Sequence, residues 1–132
     1  MWKGTCTRSS SSNYYGIGYF TSSDKFNISG NILSLLYGNN YKWIYTLNLE
    51  TALYELFKNK HIVNAKDLLL IVDKLTDKCY NSMFKNCTSL ITTPKLPATI
   101  LAKECYSYLF DGCKSLTIAP SLPATTLTES CY

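Results

Sequence analysis

Apolar positions in the second half of the chain recur in short clusters separated by polar pairs. Cys105, Leu109 and Phe110 stand at i, i+4 and i+5, and Cys79, Met83 and Phe84 repeat that arrangement. This spacing predicts a short helix over 76–86 and another over 102–112, with Gly112 at the end of the second. Leu116 to Ala119 is short, contains a β-branched residue and is bounded by Pro120, which predicts a brief strand. Pro97-Ala98-Thr99 reads as the turn into the next helix. Nearer the N-terminus, Ile32, Leu33, Leu35 and Leu36 predict a short helix over 31–37 ended by Gly38. Residues 41–49 alternate loosely, as a strand or an irregular connector would. Ser9 to Asn13 reads as a loop, and Tyr15 to Thr21 as an edge strand broken by glycine.

These clusters repeat. When the chain is shifted by 26 residues, 15 of the 32 positions from 75 to 106 are identical to their partners. Cys79-Tyr80, Cys105-Tyr106 and Cys131-Tyr132 align, as do Phe84 with Phe110 and Cys87 with Cys113. Leu96-Pro97-Ala98-Thr99 returns as Leu122-Pro123-Ala124-Thr125. A weaker copy precedes them, with Leu53-Tyr54 at 26 before Cys79-Tyr80 and Leu56-Phe57 at 27 before Met83-Phe84. One extra residue near 64–69 would explain the change of spacing. The repeats therefore divide into a degenerate unit at 51–75, units at 76–101 and 102–127, and the start of a further one.

A period of 26 lies in the leucine-rich range of about 20–29 residues. The fold class expected is an α/β repeat solenoid of short leucine-rich-type coils, one short strand and one short helix per 26 residues. Each coil has apolar side chains that only a stacked neighbour can bury. The first coil needs a cover, and residues 1–50 would supply it as an N-terminal α+β cap. At the other end, Leu122, Leu127 and Cys131 would be exposed or covered by further repeats of a longer parent chain.

The motifs Met83-Phe84-Lys85-Asn86-Cys87-Thr88-Ser89-Leu90 and Leu109-Phe110-Asp111-Gly112-Cys113-Lys114-Ser115-Leu116 resemble the BspA-like leucine-rich repeats, named for a Bacteroides surface protein. The resemblance spans 75–132 and extends in weaker form over 51–74. Residues 26–38 also resemble the segment that often precedes such arrays. The resemblance implies a non-enzymatic binding or adhesion module of a bacterial cell-surface or secreted protein, contacting a host or surface protein or a glycan. Its alternatives are a phage virion binding protein and a passive spacer. It implies no cofactor and carries over no fixed binding residues.

Composition narrows the chemistry. The net charge of +4 comes from twelve scattered lysines and Arg8 alone, unlike the clustered, arginine-rich faces that read nucleic acid. No apolar run approaches the ~18 residues needed to span a bilayer, and the start shows no apolar signal segment. Six cysteines lie at 6, 79, 87, 105, 113 and 131, the last five spaced alternately by 8 and 18. Zinc sites favour closer pairs and more imidazoles than His61 alone. Five of the cysteines occupy repeat positions where a coil buries small side chains, so buried thiols are expected. A bridge within a coil, Cys79–Cys87 or Cys105–Cys113, is the other reading, and Cys6 lies outside the pattern. A cysteine nucleophile would need a histidine beside it, and His61 reads as a surface or cap residue. Gly16-Ile17-Gly18 lacks the remaining glycine and lysine of a phosphate loop. Asn27-Ile28-Ser29 and Asn86-Cys87-Thr88 match the glycosylation sequon, the second better read as a helix-end asparagine. Of eleven tyrosines, Tyr80, Tyr106 and Tyr132 share one repeat position. They are the candidate binding column, because tyrosine gives large contact area at low entropy cost. Packing at the coil edge is the competing role.

Overall fold

A computed structural model describes residues 23–44 and 46–132. The loop expected at 9–13, the strand at 15–21, the Gly16-Ile17-Gly18 segment and Cys6 lie outside them. Regular structure is sparse: strand β1 (Phe26–Asn31), helix α1 (Ser34–Tyr37), a 3-10 turn (Gly38–Trp43) and strand β2 (Ile62–Leu69). β1 and β2 pair in parallel, from Phe26 opposite Ile62 to Asn31 opposite Leu69. A parallel pair requires a long crossover, and α1, the 3-10 turn and residues 44–61 provide it. Two register shifts, after Phe26 and after Asn27, bend the ladder. They fit the β2 burial pattern, in which Ile62, Ala65 and Leu68 face the core at intervals of three rather than two.

Local signals explain the N-terminal elements. Phe26-Asn27-Ile28-Ser29 alternates apolar and polar, the period of a half-buried strand. Asn31 stops it: its Oδ1 accepts the Leu33 amide at 2.9 Å, while Ser34 Oγ donates to the Asn31 carbonyl at 2.8 Å. The helix expected over 31–37 therefore forms only as α1, closed at Gly38 with φ +55. Residues 41–49 become the end of the 3-10 turn and an irregular connector, touching its neighbour through the isolated bridge Thr46–Lys74.

The expected α/β solenoid of strand-plus-helix coils with an α+β cap is not what the chain forms. Among the described residues there are two parallel strands and one four-residue helix, in a small domain. The helices expected over 76–86 and 102–112 are runs of tight turns, and 116–119 forms no strand. The reason lies in the period. Buried pairs fall at Ala52-Leu53 and Leu56-Phe57, and at Cys79-Tyr80 and Met83-Phe84, a repeat of four and not 3.6. Every fourth residue also has positive φ: Lys78 (56), Ser82 (57) and Asn86 (60), matched by Glu104 (53), Tyr108 (55) and Gly112 (72). Such a backbone cannot continue as a right-handed helix.

Hydrogen bonding shows what the turns gain. Amides of alternate residues close the turns, as Asn81 to Lys78, Met83 to Tyr80 and Lys85 to Ser82. The amides between them leave the segment altogether. Lys78, Tyr80, Ser82, Phe84 and Asn86 donate to the carbonyls of Lys103, Cys105, Ser107, Leu109 and Asp111 at 2.7–3.0 Å. Thr51, Leu53, Glu55, Phe57 and Asn59 donate in the same way to Asp77, Cys79, Asn81, Met83 and Lys85. A left-handed non-glycine residue costs on the order of 1–3 kcal/mol unless its surroundings fix it. The cross-segment bonds are what fix it here.

The same bonds set the register. Leu53 donates to Cys79 as Tyr80 donates to Cys105, so Leu53 is the counterpart of Tyr80 and Ala52 that of Cys79. The spacing is thus 27 over 51–59, and the sequence alignment of Leu53-Tyr54 with Cys79-Tyr80 is off by one. It returns to 26 by Lys74, which bridges Ile100.

Candidate binding edge

Registered hydrogen bonding brings equivalent side chains into columns. Phe57, Phe84 and Phe110 stack with centroids 5.5 and 5.6 Å apart. Tyr80, Tyr106 and Tyr132 stack at 5.6 and 5.9 Å, their planes 10° apart. The first two tyrosines of the candidate binding column are nevertheless interior. Tyr80 is 0% and Tyr106 2% exposed, and only Tyr132, at 39%, reaches solvent. The hydroxyls of Tyr80 and Tyr106 are buried with no hydrogen-bond partner among the described residues. Burial pushes both phenols well above their ordinary range, with smaller contributions from the neighbouring thiols and phenols. A column placed in this way works as packing, at the cost of two unsatisfied hydroxyls.

The cysteines form two further columns. Cys79, Cys105 and Cys131 are buried, as is Cys87, with Cys113 half-buried beside it; all five are free thiols. Directly hydrogen-bonded segments lie only ~4.8 Å apart, so the thiols of a column are adjacent without being joined. Several are engaged: Cys87 Sγ donates to the Phe57 carbonyl at 3.0 Å and Cys113 Sγ to that of Phe84 at 3.2 Å. Burial raises the Cys79 and Cys87 thiols to about 12 and that of Cys113 to about 11. A thiol held protonated is a poor nucleophile and a poor metal ligand. His61 is exposed, its Nδ1 3.2 Å from the Ser23 carbonyl. Among the described residues, no three histidine, cysteine or acidic side chains cluster in a way that could hold a metal ion.

The lysines sit beside acids of the following segment: Lys78 with Glu104 at 3.5 Å, Lys85 with Asp111 at 2.8 Å, and Lys103 with Glu129 at 2.9 Å. Carboxylate hydrogen bonds raise the Lys85 and Lys103 ammoniums. All three pairs are at least partly open to solvent, a setting in which an ion pair is worth ~0–1 kcal/mol. They fix register more than they add stability.

Asn86 Nδ2 donates to Asn59 Oδ1 at 3.1 Å, both residues at φ 60. Gly112 takes the same place in the last segment, where a Cβ would collide with the Asn86 side-chain amide. A side chain at 112 would therefore require the Asn86 amide to move, and the φ of 72 favours glycine there.

Open chemistry concentrates at the last segment. Leu70 and Leu96 are 1% and 3% exposed, whereas their counterpart Leu122 is 50% exposed. Leu75 and Leu101 are 3% and 7% exposed, and Leu127 is 64% exposed. Ile118 and Tyr108 stand at 77% and 62%, with Lys85 Nζ 4.8 Å from the Tyr108 ring centre. The exposure expected at Leu122 and Leu127 is present, while Cys131 is buried at 4%. The backbone is open there too. Glu104 and Tyr106 donate to Glu129 and Cys131, but the amides of Tyr108, Phe110 and Gly112, next in the series, have no acceptor among the described residues. At the spacing of 25 the acceptors for these three amides fall past Tyr132, and the exposed Leu122 and Leu127 lie at the end where the sequence places them.

No family model, curated protein or solved structure matches this chain. Among the described residues, no helix is long and apolar enough to cross a membrane.

Proposed function

We propose that the chain is a non-enzymatic binding module, of the adhesion type carried by bacterial cell-surface or secreted proteins. The observation that carries this reading is the set of large apolar side chains left exposed away from the last segment, Leu69, Ile71, Ile91 and Ile100 at 48–54%. Exposed apolar side chains of this kind suit recognition better than solvation. The motif resemblance around Phe84-Lys85-Asn86-Cys87 and Phe110-Asp111-Gly112-Cys113 points the same way, toward a host or surface protein or a glycan. Protonated, buried thiols and a single exposed histidine supply no nucleophile–base pair, which supports a binding role over a catalytic one.

The test is a panel of host-surface proteins and glycans presented to the chain and to its Ile91→Glu/Ile100→Glu variant. Both sites are solvent-facing, so the variant should fold. The expected result is a panel member bound by the chain and at least tenfold more weakly by the variant. Equal binding by both would refute the exposed isoleucines as the contact, and no binding by a folded chain would favour the passive spacer.

A further inference from the structure

We infer that the cysteine columns make the fold redox-sensitive in one direction: the folded chain shields its thiols from disulfide formation, and a chain oxidised while open cannot close again. This property is independent of what the chain binds.

The shielding follows from how the columns are built. Cys79, Cys87 and Cys105 are buried free thiols. The thiol that acts on Cys79 is that of Cys105, and the one that acts on Cys87 is that of Cys113. Members of a column are related by the step from one segment to the next, so they stand side by side. The neighbouring rings give the size of that step among side chains: Tyr80 on Tyr106 and Phe84 on Phe110 are both 5.6 Å apart, their planes 10° and 18° from parallel. A disulfide needs its two Cβ atoms ~3.5–4.5 Å apart. The column holds them further apart than that. Pulling two segments together is opposed by the bonds already closed between them, Tyr80 to Cys105 and Phe84 to Leu109, both at 3.0 Å. A bridge between Cys87 and Cys113 would also give up their bonds to the Phe57 and Phe84 carbonyls.

In the open chain none of these constraints holds. A cysteine thiolate attacks a low-molecular-weight disulfide, one half of which leaves as a thiolate. A second cysteine thiolate then displaces the other half. The protein gains one disulfide and loses two hydrogens, and the oxidant becomes two thiols. Short loops close most readily, which favours Cys79 with Cys87 and Cys105 with Cys113. Each of these products ties together two side chains that the fold places in different columns. The segments cannot then return to the register in which Tyr80 donates to Cys105 and Phe84 to Leu109.

The experiment uses the full chain with Cys6→Ser, so that only the column thiols are counted. Oxidised glutathione is added at mildly alkaline pH to the folded chain and to the chain in urea, and intramolecular disulfides are counted from the intact mass. The folded chain should form them at least about 100-fold more slowly, because buried thiols are scarcely ionised. The chain oxidised in urea should fail to regain hydrogen-exchange protection at Ser82, Phe84 and Asn86 when the urea is removed. Adding a reductant should restore that protection to the level of a reduced chain taken through the same steps. Disulfides formed at comparable rates in the folded chain, or an oxidised chain that recovers the protection without reductant, would overturn the inference.

Discussion

The segment 78–86 and its copy 104–112 have nearly the same backbone and much the same side chains, yet one is interior and the other is an edge. Residues 77–86 receive five hydrogen bonds from 51–59 and donate five to 103–112. Among the described residues, 103–112 receive those five and donate two onward. The difference teaches that burial in this chain is conferred by neighbours and not by residue type. Tyr80 and Tyr132 are the same residue in one column, at 0% and 39% exposure, and Leu96 and Leu122 stand at 3% and 50%. Substitutions that are chemically identical should therefore have unequal effects along a column.

The largest inequality is expected in the tyrosines. Tyr80→Ser or Tyr106→Ser removes a stacked, buried ring and should cost about 3–5 kcal/mol in denaturant unfolding. Tyr132→Ser should cost less than ~1 kcal/mol. Equal losses at 80 and 132 would break the comparison. Leu96→Ala should likewise cost about 2–5 kcal/mol, against a few tenths for Leu122→Ala at a solvent-facing site.

Alkaline pH sharpens the comparison through the thiols. Cys79 and Cys87 rise from an ordinary value of 9.0 to about 12 because burial disfavours the thiolate. The folded state thus holds these protons more tightly than the unfolded state. Their contribution is complete below pH 9 and is lost as pH climbs toward 12, each thiol adding a slope of up to ~1.4 kcal/mol per pH unit. Unfolding free energies measured from pH 7 to 11 should be flat and then fall, and Cys79→Ala should fall less steeply. A profile that is flat to pH 11 would contradict this burial. The smallest effect runs in the opposite direction. Tyr106→Phe deletes a buried hydroxyl without a partner and keeps the ring, so stability should rise by about 1 kcal/mol. A loss would show that this hydroxyl is hydrogen-bonded.

Much of the column structure is legible in the sequence. The 26-residue period places Cys79 over Cys105 and Phe84 over Phe110, and the regular spacing of the cysteines marks them as core positions. Gly112 and Gly38 announce their left-handed turns, and Leu122 and Leu127 announce the exposed end. The secondary structure was not legible for a specific reason. Apolar residues at i, i+4 and i+5 fit a helix of 3.6 residues per turn and a chain of turns repeating every four. Deciding between them requires knowing that Lys78, Glu104 and Tyr108 adopt positive φ. Nothing in a lysine, a glutamate or a tyrosine signals that, because the bonds that hold the conformation come from another part of the chain. The β1–β2 pairing is hidden for a similar reason: its partners lie outside the 26-residue period, separated by the inserted α1 and 3-10 turn. The tyrosine column misleads because stacking in a core and contact at a surface favour the same residue, and only the neighbours distinguish them.

Hydrogen exchange on the free chain tests the central contrast most directly. Ser82, Phe84 and Asn86 should exchange only on global or near-global opening, while Tyr108, Phe110 and Gly112, the same positions one segment later, should exchange within about tenfold of unstructured rates. Comparable protection of the two sets would mean that the amides of the last segment are bonded as well, and the account of burial in this chain as conferred by neighbouring segments would fail.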